Sequence, residues 1–308
     1  MRYCQKKFNI QYKATFDTID ANNIIKVWVV QPLTFLCQQI ENFSISHKPK
    51  KYYKDIQGNK ILYFEFKNPK KIAIQINIKA ILGKHKINLK KKKVFLPPIS
   101  TKLFKQYTKS EKFLEQTPAI KELTYQITKT DDSILDKLQS IFNFIVRNFK
   151  YCYPVKKRGV KYLNLKNLKG DCGEYSSLFI TMCRVLKIPA RNQTGFVIFP
   201  KQKKITEHGW SNIYLKPYGW VDIDTQYASL EKNIGKGFKK YFAQRNDYKI
   251  TFTNGFNIPI KPSIPYSYKK DYWNKFGLPL SNNSVQTLQP IVFSSKKKVQ
   301  FKDSIRLI

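Results

Sequence analysis

The chain has 308 residues, 42% of them hydrophobic, with 57 Lys and Arg against 20 Asp and Glu and a formal net charge of +37. Length and apolar content suffice for two domains, or for one large domain with appendages, and mark a globular protein rather than a disordered one. Five cysteines at irregular spacing, with no Cys-x-x-Cys pair, exclude a disulfide framework and a zinc site and point to reduced thiols.

A charge this high invites a nucleic-acid partner, because clustered lysines bind phosphate backbones by releasing counterions. Only seven of the basic residues are Arg, and the lysines are spread along every segment among abundant Asn and Ile. The runs at 48–54, 84–93, 201–204 and 296–298 read as solvated turns or strand ends. Nucleic acid is therefore not the expected partner, and the charge would favour acidic regions of the peptide or protein substrate that the candidate chemistry below implies. No carboxylate cluster has calcium-loop spacing, so neither a metal nor a cofactor is expected. The start lacks an apolar stretch of the secretory kind. Residues 24–36 are interrupted by Lys26, Gln31 and Pro32, well short of the roughly 18 apolar residues of a membrane span. A cytoplasmic protein without a transmembrane segment is the expectation.

Residues 7–97 alternate in the manner of strands, most clearly from Lys71 to Lys79, where every second residue is Ile. Further strands are expected at 8–14, 24–30 and 61–66, the last entered through a Gly58-Asn59 turn. An N-terminal β-sandwich-like domain over residues 1–98 follows, closed by the lysines at 90–93 and Pro97-Pro98. The period then becomes helical. Thr117-Pro118 supplies an N-cap and first position for a helix carrying Ile120, Leu123 and Ile127. Asp131, Asp132 and Ser133 open a second, with the stripe Ile134, Leu135, Leu138, Ile141, Phe142, Ile145 and Phe149. A third begins at Cys172, carries Tyr175, Leu178, Phe179, Met182, Val185 and Leu186 on one face, and stops at Ile188-Pro189. Strands at 192–199 and from His208 complete an α+β, papain-like core over residues 99–245. Residues 246–308 form a C-terminal β-rich extension, with strands at 248–253, 291–293 and 299–301 around a Pro- and Tyr-rich stretch.

Candidate chemistry lies inside the core. In Lys169-Gly170-Asp171-Cys172-Gly173-Glu174, a Gly-Asp pair delivers a thiol to the first turn of a helix, where unpaired N–H groups and the helix dipole favour the thiolate. His208 follows in a segment that alternates polar and apolar side chains. His47 and His85, the other two histidines, sit in Lys-flanked segments with no thiol nearby. Beyond the Lys216-Pro217-Tyr218-Gly219 turn signal come Asp222 and Asp224. If the two strands pair across that turn, Asp222 lies near Asn212, too far along to hold the His208 ring. Asp224 becomes a diagonal neighbour of His208, provided that the loop has an odd number of residues or a bulge. Cys172, His208 and Asp224 in this order suggest nucleophilic acyl transfer. Asp171 and Glu174 read as helix-start acids, with Glu174 a candidate support for the thiol. Trp210 and Tyr175 are candidates for either a substrate groove or the core, and Cys4, Cys37, Cys152 and Cys183 read as structural thiols.

The run from Tyr162-Leu163 through Lys169–Phe179 and Arg184–Arg191 to Gly195, together with His208-Gly209-Trp210 and Tyr218–Asp224, resembles the core of the transglutaminase-like superfamily. The resemblance is close over about residues 105–230. In that family the last acid sits in Gly-Trp-Val-Pro-x-Asp, a pattern that puts Pro at Asp222 of this chain and the triad acid at Asp224. The N-terminal third resembles the β-domain preceding the core in microbial members. The resemblance implies a papain-like transglutaminase core preceded by a β-sandwich-like domain. It also implies a Cys172-His208-Asp224 triad acting on peptide or glutamine amides through a thioester. Hydrolysis of that thioester, as an amidase or peptidase, is the expected outcome. The alternatives are transfer to a lysine amine, as in a protein-glutamine transglutaminase acyltransferase, and a non-catalytic binding scaffold.

Overall fold

Every second residue from Ile72 to Ile78 is isoleucine, and in the computed structural model these four side chains are buried along one face of a 13-residue strand. The structure describes residues 5–18, 24–68, 70–231, 233–263, 272–274, 284–285, 291–294 and 299–308. Its first strands are β1 (Gln5–Thr18), β2 (Ile24–Gln31), β3 (Gln38–Ile45), β4 (Lys51–Lys54), β5 (Lys60–Lys67), β6 (Lys71–Gly83) and β7 (His85–Lys86). Helices α1 (Lys102–Thr108), α2 (Pro118–Ile127) and α3 (Ile134–Asn148) follow, then β8 (Lys150–Tyr151), β9 (Lys169–Gly170) and helix α4 (Cys172–Val185). After β10 (Ala190–Phe199), β11 (Lys204–Leu215) and β12 (Gly219–Ile223) come α5 (Thr225–Ser229), α6 (Ile234–Tyr241) and β13 (Gln244–Arg245). The last strands are β14 (Lys249–Asn254), β15 (Ile258–Pro259), β16 (Tyr272–Asn274), β17 (Ser284–Val285), β18 (Ile291–Ser294) and β19 (Val299–Leu307).

The chain groups into two compact units, one of residues 1–83, 194–207 and 247–308, the other of 84–193 and 208–246. In the first, antiparallel sheets of order β19-β1-β6-β3 and β16-β18-β2-β5-β4 contribute to a common apolar core. Phe8, Ile10, Tyr12, Ala14 and Phe16 of β1 alternate into it, as do Ile72 to Leu82 of β6, so period-two patterning fixes the register. The C-terminal residues belong here. Strand β19 pairs with β1, Ile10 opposite Leu307, and β18 pairs with β2, Trp28 opposite Ile291. The expected strand near 248–253 is β14, whereas most of the Pro- and Tyr-rich stretch, the lysines at 296–298 and Cys4 lie outside the described residues.

In the second unit, helix starts are set by side-chain caps. Thr117 accepts from the Ile120 N–H with Pro118 at the first position, and Ser133 accepts from the Asp136 N–H, each satisfying an otherwise orphaned donor. Helix α3 buries Leu138, Ile141, Phe142 and Ile145, and α4 packs against α1, α2, α3 and α5. Helix α4 is buried on every side from Glu174 to Val185. Strand β11 pairs antiparallel with β12, closing at Leu215 opposite Gly219. Gly219 has φ +79°, a left-handed turn that a side chain would strain. Mixed helices and antiparallel sheets make an α+β fold with a strand-rich N-terminal region, as expected. Helices α1, α5 and α6 are additions to the expected set. Among the described residues no helix is long and apolar enough to cross a membrane.

Candidate active site

Asp171 caps α4 through its side chain, accepting from the Gly173 N–H at 2.8 Å, so the thiol of Cys172 belongs to the helix's first residue. The preceding Gly170 has no room for a side chain, since a Cβ there would lie 2.4 Å from the Glu174 Cβ. That close approach lets strand β9 run directly into the helix. The helix start is also tied to β11: Ser176 Oγ donates to the Gly209 carbonyl at 3.4 Å and Ser211 Oγ to the Ser176 carbonyl at 3.5 Å.

The hairpin fixes His208 and Asp224. With Ser211 opposite Ile223 and Asn212 opposite Asp222, the loop contains three residues, an odd number, and His208 and Asp224 fall on one face as diagonal neighbours. The His208 Nε2–H donates to Asp224 Oδ2 at 2.9 Å, and both residues are buried. The other Asp224 oxygen accepts from the Tyr227 N–H at 3.0 Å, capping α5, while the Asp224 N–H donates to the Tyr241 carbonyl. The Tyr227 ring stacks on His208, with centroids 4.1 Å apart and planes 10° apart. His208 is thus held in orientation with Nδ1 left for a proton. Asp222 is engaged elsewhere, accepting from Asn212 and from Arg245 at 3.1 Å.

The backbone N–H of Gly209, next to His208 in sequence, favours the ionised form of Cys172, and the Ser176 and Ser211 bonds hold the helix start of Cys172 against this part of β11. The helix start was expected to favour a thiolate. Burial and the Asp171 carboxylate instead push the Cys172 thiol up to about 12, against the smaller effects of Gly209 and Arg158. The resting sulfur is therefore protonated.

Arg158 had no expected role, yet it forks onto Asp171 with bonds of 2.8 and 2.7 Å and donates to Glu174 at 2.8 Å. These contacts hold its guanidinium above its ordinary range despite burial. The Asp171 carboxyl is drawn down by Arg158 against the effect of burial, and Glu174 is raised well above its usual range by burial and by Asp171. A lone Arg in a Lys-rich loop was the only signal for it. The conformation that delivers Arg158 depends on Gly159, at φ +104° and with a Cβ position 3.1 Å from the Phe113 backbone.

Tyr175 and Trp210, left between groove and core by sequence, are core residues. Tyr175 donates to the Phe149 carbonyl at 2.8 Å, and Trp210 Nε1 donates to Gln193 at 2.9 Å. Cys37 and Cys183 are buried and Cys152 is exposed. His85 and His47 lie on other elements, His47 bonded to Ser46. Among the described residues no group of three or more His, Cys, Asp or Glu is arranged to hold a metal.

A helix-borne thiol beside an antiparallel hairpin that carries a hydrogen-bonded His and Asp defines a class of α+β core. The family model of the transglutaminase-like superfamily matches residues 121–225, a span that contains Cys172, His208 and Asp224. This part of the chain is similar to the transglutaminase-like core, and members of that superfamily are generally cysteine-dependent enzymes. A crystal structure described as a “putative cysteine protease” from Cytophaga hutchinsonii superposes with a TM-score of 0.58 at 13% identity, covering 99% of this chain and 93% of that one. That likeness is one of fold. The periplasmic domain of TgpA from Pseudomonas aeruginosa has a TM-score of 0.39 at 11% identity, over 73% of this chain and 94% of that one. An uncharacterized protein of Haemophilus influenzae is 25% identical over 144 residues, 39% of each chain, so this chain spans well under half the length of that curated relative.

Proposed function

We propose that the chain is a transglutaminase-like cysteine enzyme that hydrolyses peptide or glutamine amides through Cys172, His208 and Asp224. The observation that carries this reading is the buried 2.9 Å bond from His208 to Asp224, on the strand hairpin that Ser176 and Ser211 tie to the first turns of the Cys172 helix. Because the resting sulfur is protonated, His208 Nδ1 takes its proton as sulfur attacks the amide carbon, forming the C–S bond and a tetrahedral oxyanion. The C–N bond then breaks, the leaving amine or ammonia takes the proton from His208, and a thioester remains. Water, deprotonated by His208, attacks the thioester carbon, and the C–S bond breaks to give the carboxylic acid and the free thiol. Asp224, buried and hydrogen-bonded to His208 Nε2, holds the ring tautomer and stabilises the imidazolium. The Cys172 backbone N–H at the helix start is the proposed oxyanion donor.

Water as the acceptor is in keeping with the protease description of the Cytophaga protein. A glutaminyl peptide, incubated with and without a labelled alkylamine, tests both parts. Ammonia release or peptide cleavage that disappears in Cys172→Ala supports hydrolysis. Amine incorporation identifies a cross-linking acyltransferase, activity that survives Cys172→Ala removes the thiol from the mechanism, and no activity in the wild-type chain leaves a binding scaffold.

A further inference from the structure

Cys172 adjoins a cluster of buried charge that the triad does not use. The side chains of Arg158, Asp171 and Glu174 are 9%, 9% and 1% exposed. One guanidinium thus serves two carboxyl groups. Asp171 takes both arms of the fork and also the Gly173 N–H, the pattern of an ionised carboxylate. Glu174 receives only one of these bonds, on Oε2, and its Oε1 is buried with no hydrogen-bond donor. Glu174 Oε2 and Asp171 Oδ1 nevertheless share one nitrogen of Arg158, each 2.8 Å from it, so a single guanidinium faces two carboxyl groups at close range, an arrangement relieved when one of them carries a proton. Ionising both would bury a negative charge that Arg158 cannot balance.

We propose that Arg158 and Glu174 are positioning residues for Cys172, a net-neutral brace in which Glu174 keeps its proton and Arg158 locks Asp171 onto the first turn of α4. This rests on the reading of Cys172 as the nucleophile. The brace has two effects on the sulfur. It fixes the cap residue on which the helix start depends, and it offsets the Asp171 charge, which opposes thiolate formation, with that of Arg158. Loss of the Glu174 proton would turn the cluster net negative beside the sulfur and slow every step that needs a thiolate. The charged and titratable groups around it are Asp171 and Cys172 on its own helix start, Arg158 from the loop after β8, Tyr151 on β8 and Asp224 after β12. Tyr151 is raised above its ordinary value by burial and by Cys172, so it stays neutral while Glu174 titrates.

The test compares the wild-type chain with Glu174→Gln and Arg158→Lys in peptide turnover and in the rate of iodoacetamide labelling at Cys172, read by peptide mass spectrometry, across neutral to alkaline pH. Glutamine keeps the neutral, donating character of the acid. We expect E174Q to retain kcat/KM within about threefold at neutral pH and to lose the alkaline decline of the wild type, while R158K, without the fork, falls by more than about tenfold. An E174Q loss at neutral pH as large as that of R158K would show Glu174 working as an ordinary ion-paired carboxylate and would overturn the proposal. So would an alkaline profile of E174Q that superposes on the wild type. If R158K does not fold, the E174Q profile decides alone. If the wild type turns over no peptide, the proposed function fails and labelling still tests the brace. Faster Cys172 labelling of E174Q than of wild type at alkaline pH supports it, and coincident curves reject it.

Discussion

Ile74, in the core of the first unit, and His208, on the hairpin of the second, are both nearly sealed from solvent, at 0% and 4% exposure, yet they depend on their surroundings in different ways. Ile74 lies opposite Ala14 within one apolar cluster, whose side chains need supply only volume and non-polar contact. Around His208 the contacts are specific: Asp224 on Nε2, the Tyr227 N–H on the other oxygen of Asp224, and the Tyr227 ring on the imidazole face. An apolar core loses stability in proportion to what is removed. A polar constellation loses its chemistry when one atom moves, even where the fold survives.

The largest effects should come from the thiol and the ring. Cys172→Ala and His208→Ala are each expected to reduce turnover by about 10⁴-fold or more, because the members of such a unit act together. Circular dichroism should show Cys172→Ala folded. A Cys172→Ala chain that retains a tenth of wild-type turnover would remove the thiol from the mechanism. Next come the two neighbouring acids. Asp224→Asn should cost about 10²- to 10⁴-fold in kcat, since an amide in that place favours the wrong imidazole tautomer. Asp222→Asn should leave kcat within a few-fold while lowering stability by about 1–3 kcal/mol through the Arg245 contact. The reverse pattern would exchange their roles. Ile74→Ala gives the opposite signature to all of these. It should cost about 2–5 kcal/mol in denaturant unfolding, with kcat/KM unchanged under conditions where the variant is folded.

The same contrast accounts for what could be read from the chain alone. Period-two isoleucines from 72 to 78 and the i, i+4, i+7 stripe of α3 are local consequences of burial on one face, so strands and helices were legible. So were the Thr117 and Ser133 caps. Asp224 was separable from Asp222 because hairpin register is simple geometry once the odd loop between Leu215 and Gly219 is allowed. The return of 299–307 to pair with β1 was not legible, because strand partners distant in sequence leave no local mark. Arg158 was equally silent: nothing in its neighbours announces that its guanidinium meets Asp171 thirteen positions on. The direction of the Cys172 thiol was misjudged for a related reason. The helix start is visible in sequence, whereas the burial and the Asp171 charge that outweigh it exist only in the folded chain.

The smallest expected effect lies in the pH dependence of stability, and its sign separates the two acids that share Arg158. Burial and Asp171 raise Glu174 from 4.5 to about 8 in the folded chain, so between those values the folded state holds a proton that the unfolded state has lost. Its contribution is therefore complete below pH 4.5, declines as pH rises and is gone above about 8. Asp171 runs the other way. Lowered from 3.8 by Arg158 against burial, its contribution is present at neutral pH and disappears only as the solution becomes strongly acidic. Urea unfolding of the wild-type chain between pH 5 and 8 should thus show a midpoint that falls with rising pH, and Glu174→Gln should flatten this slope while leaving the loss in strong acid. A slope unchanged by Glu174→Gln would mean that the proton resides elsewhere, and the buried cluster beside Cys172 would then carry a full negative charge at neutral pH.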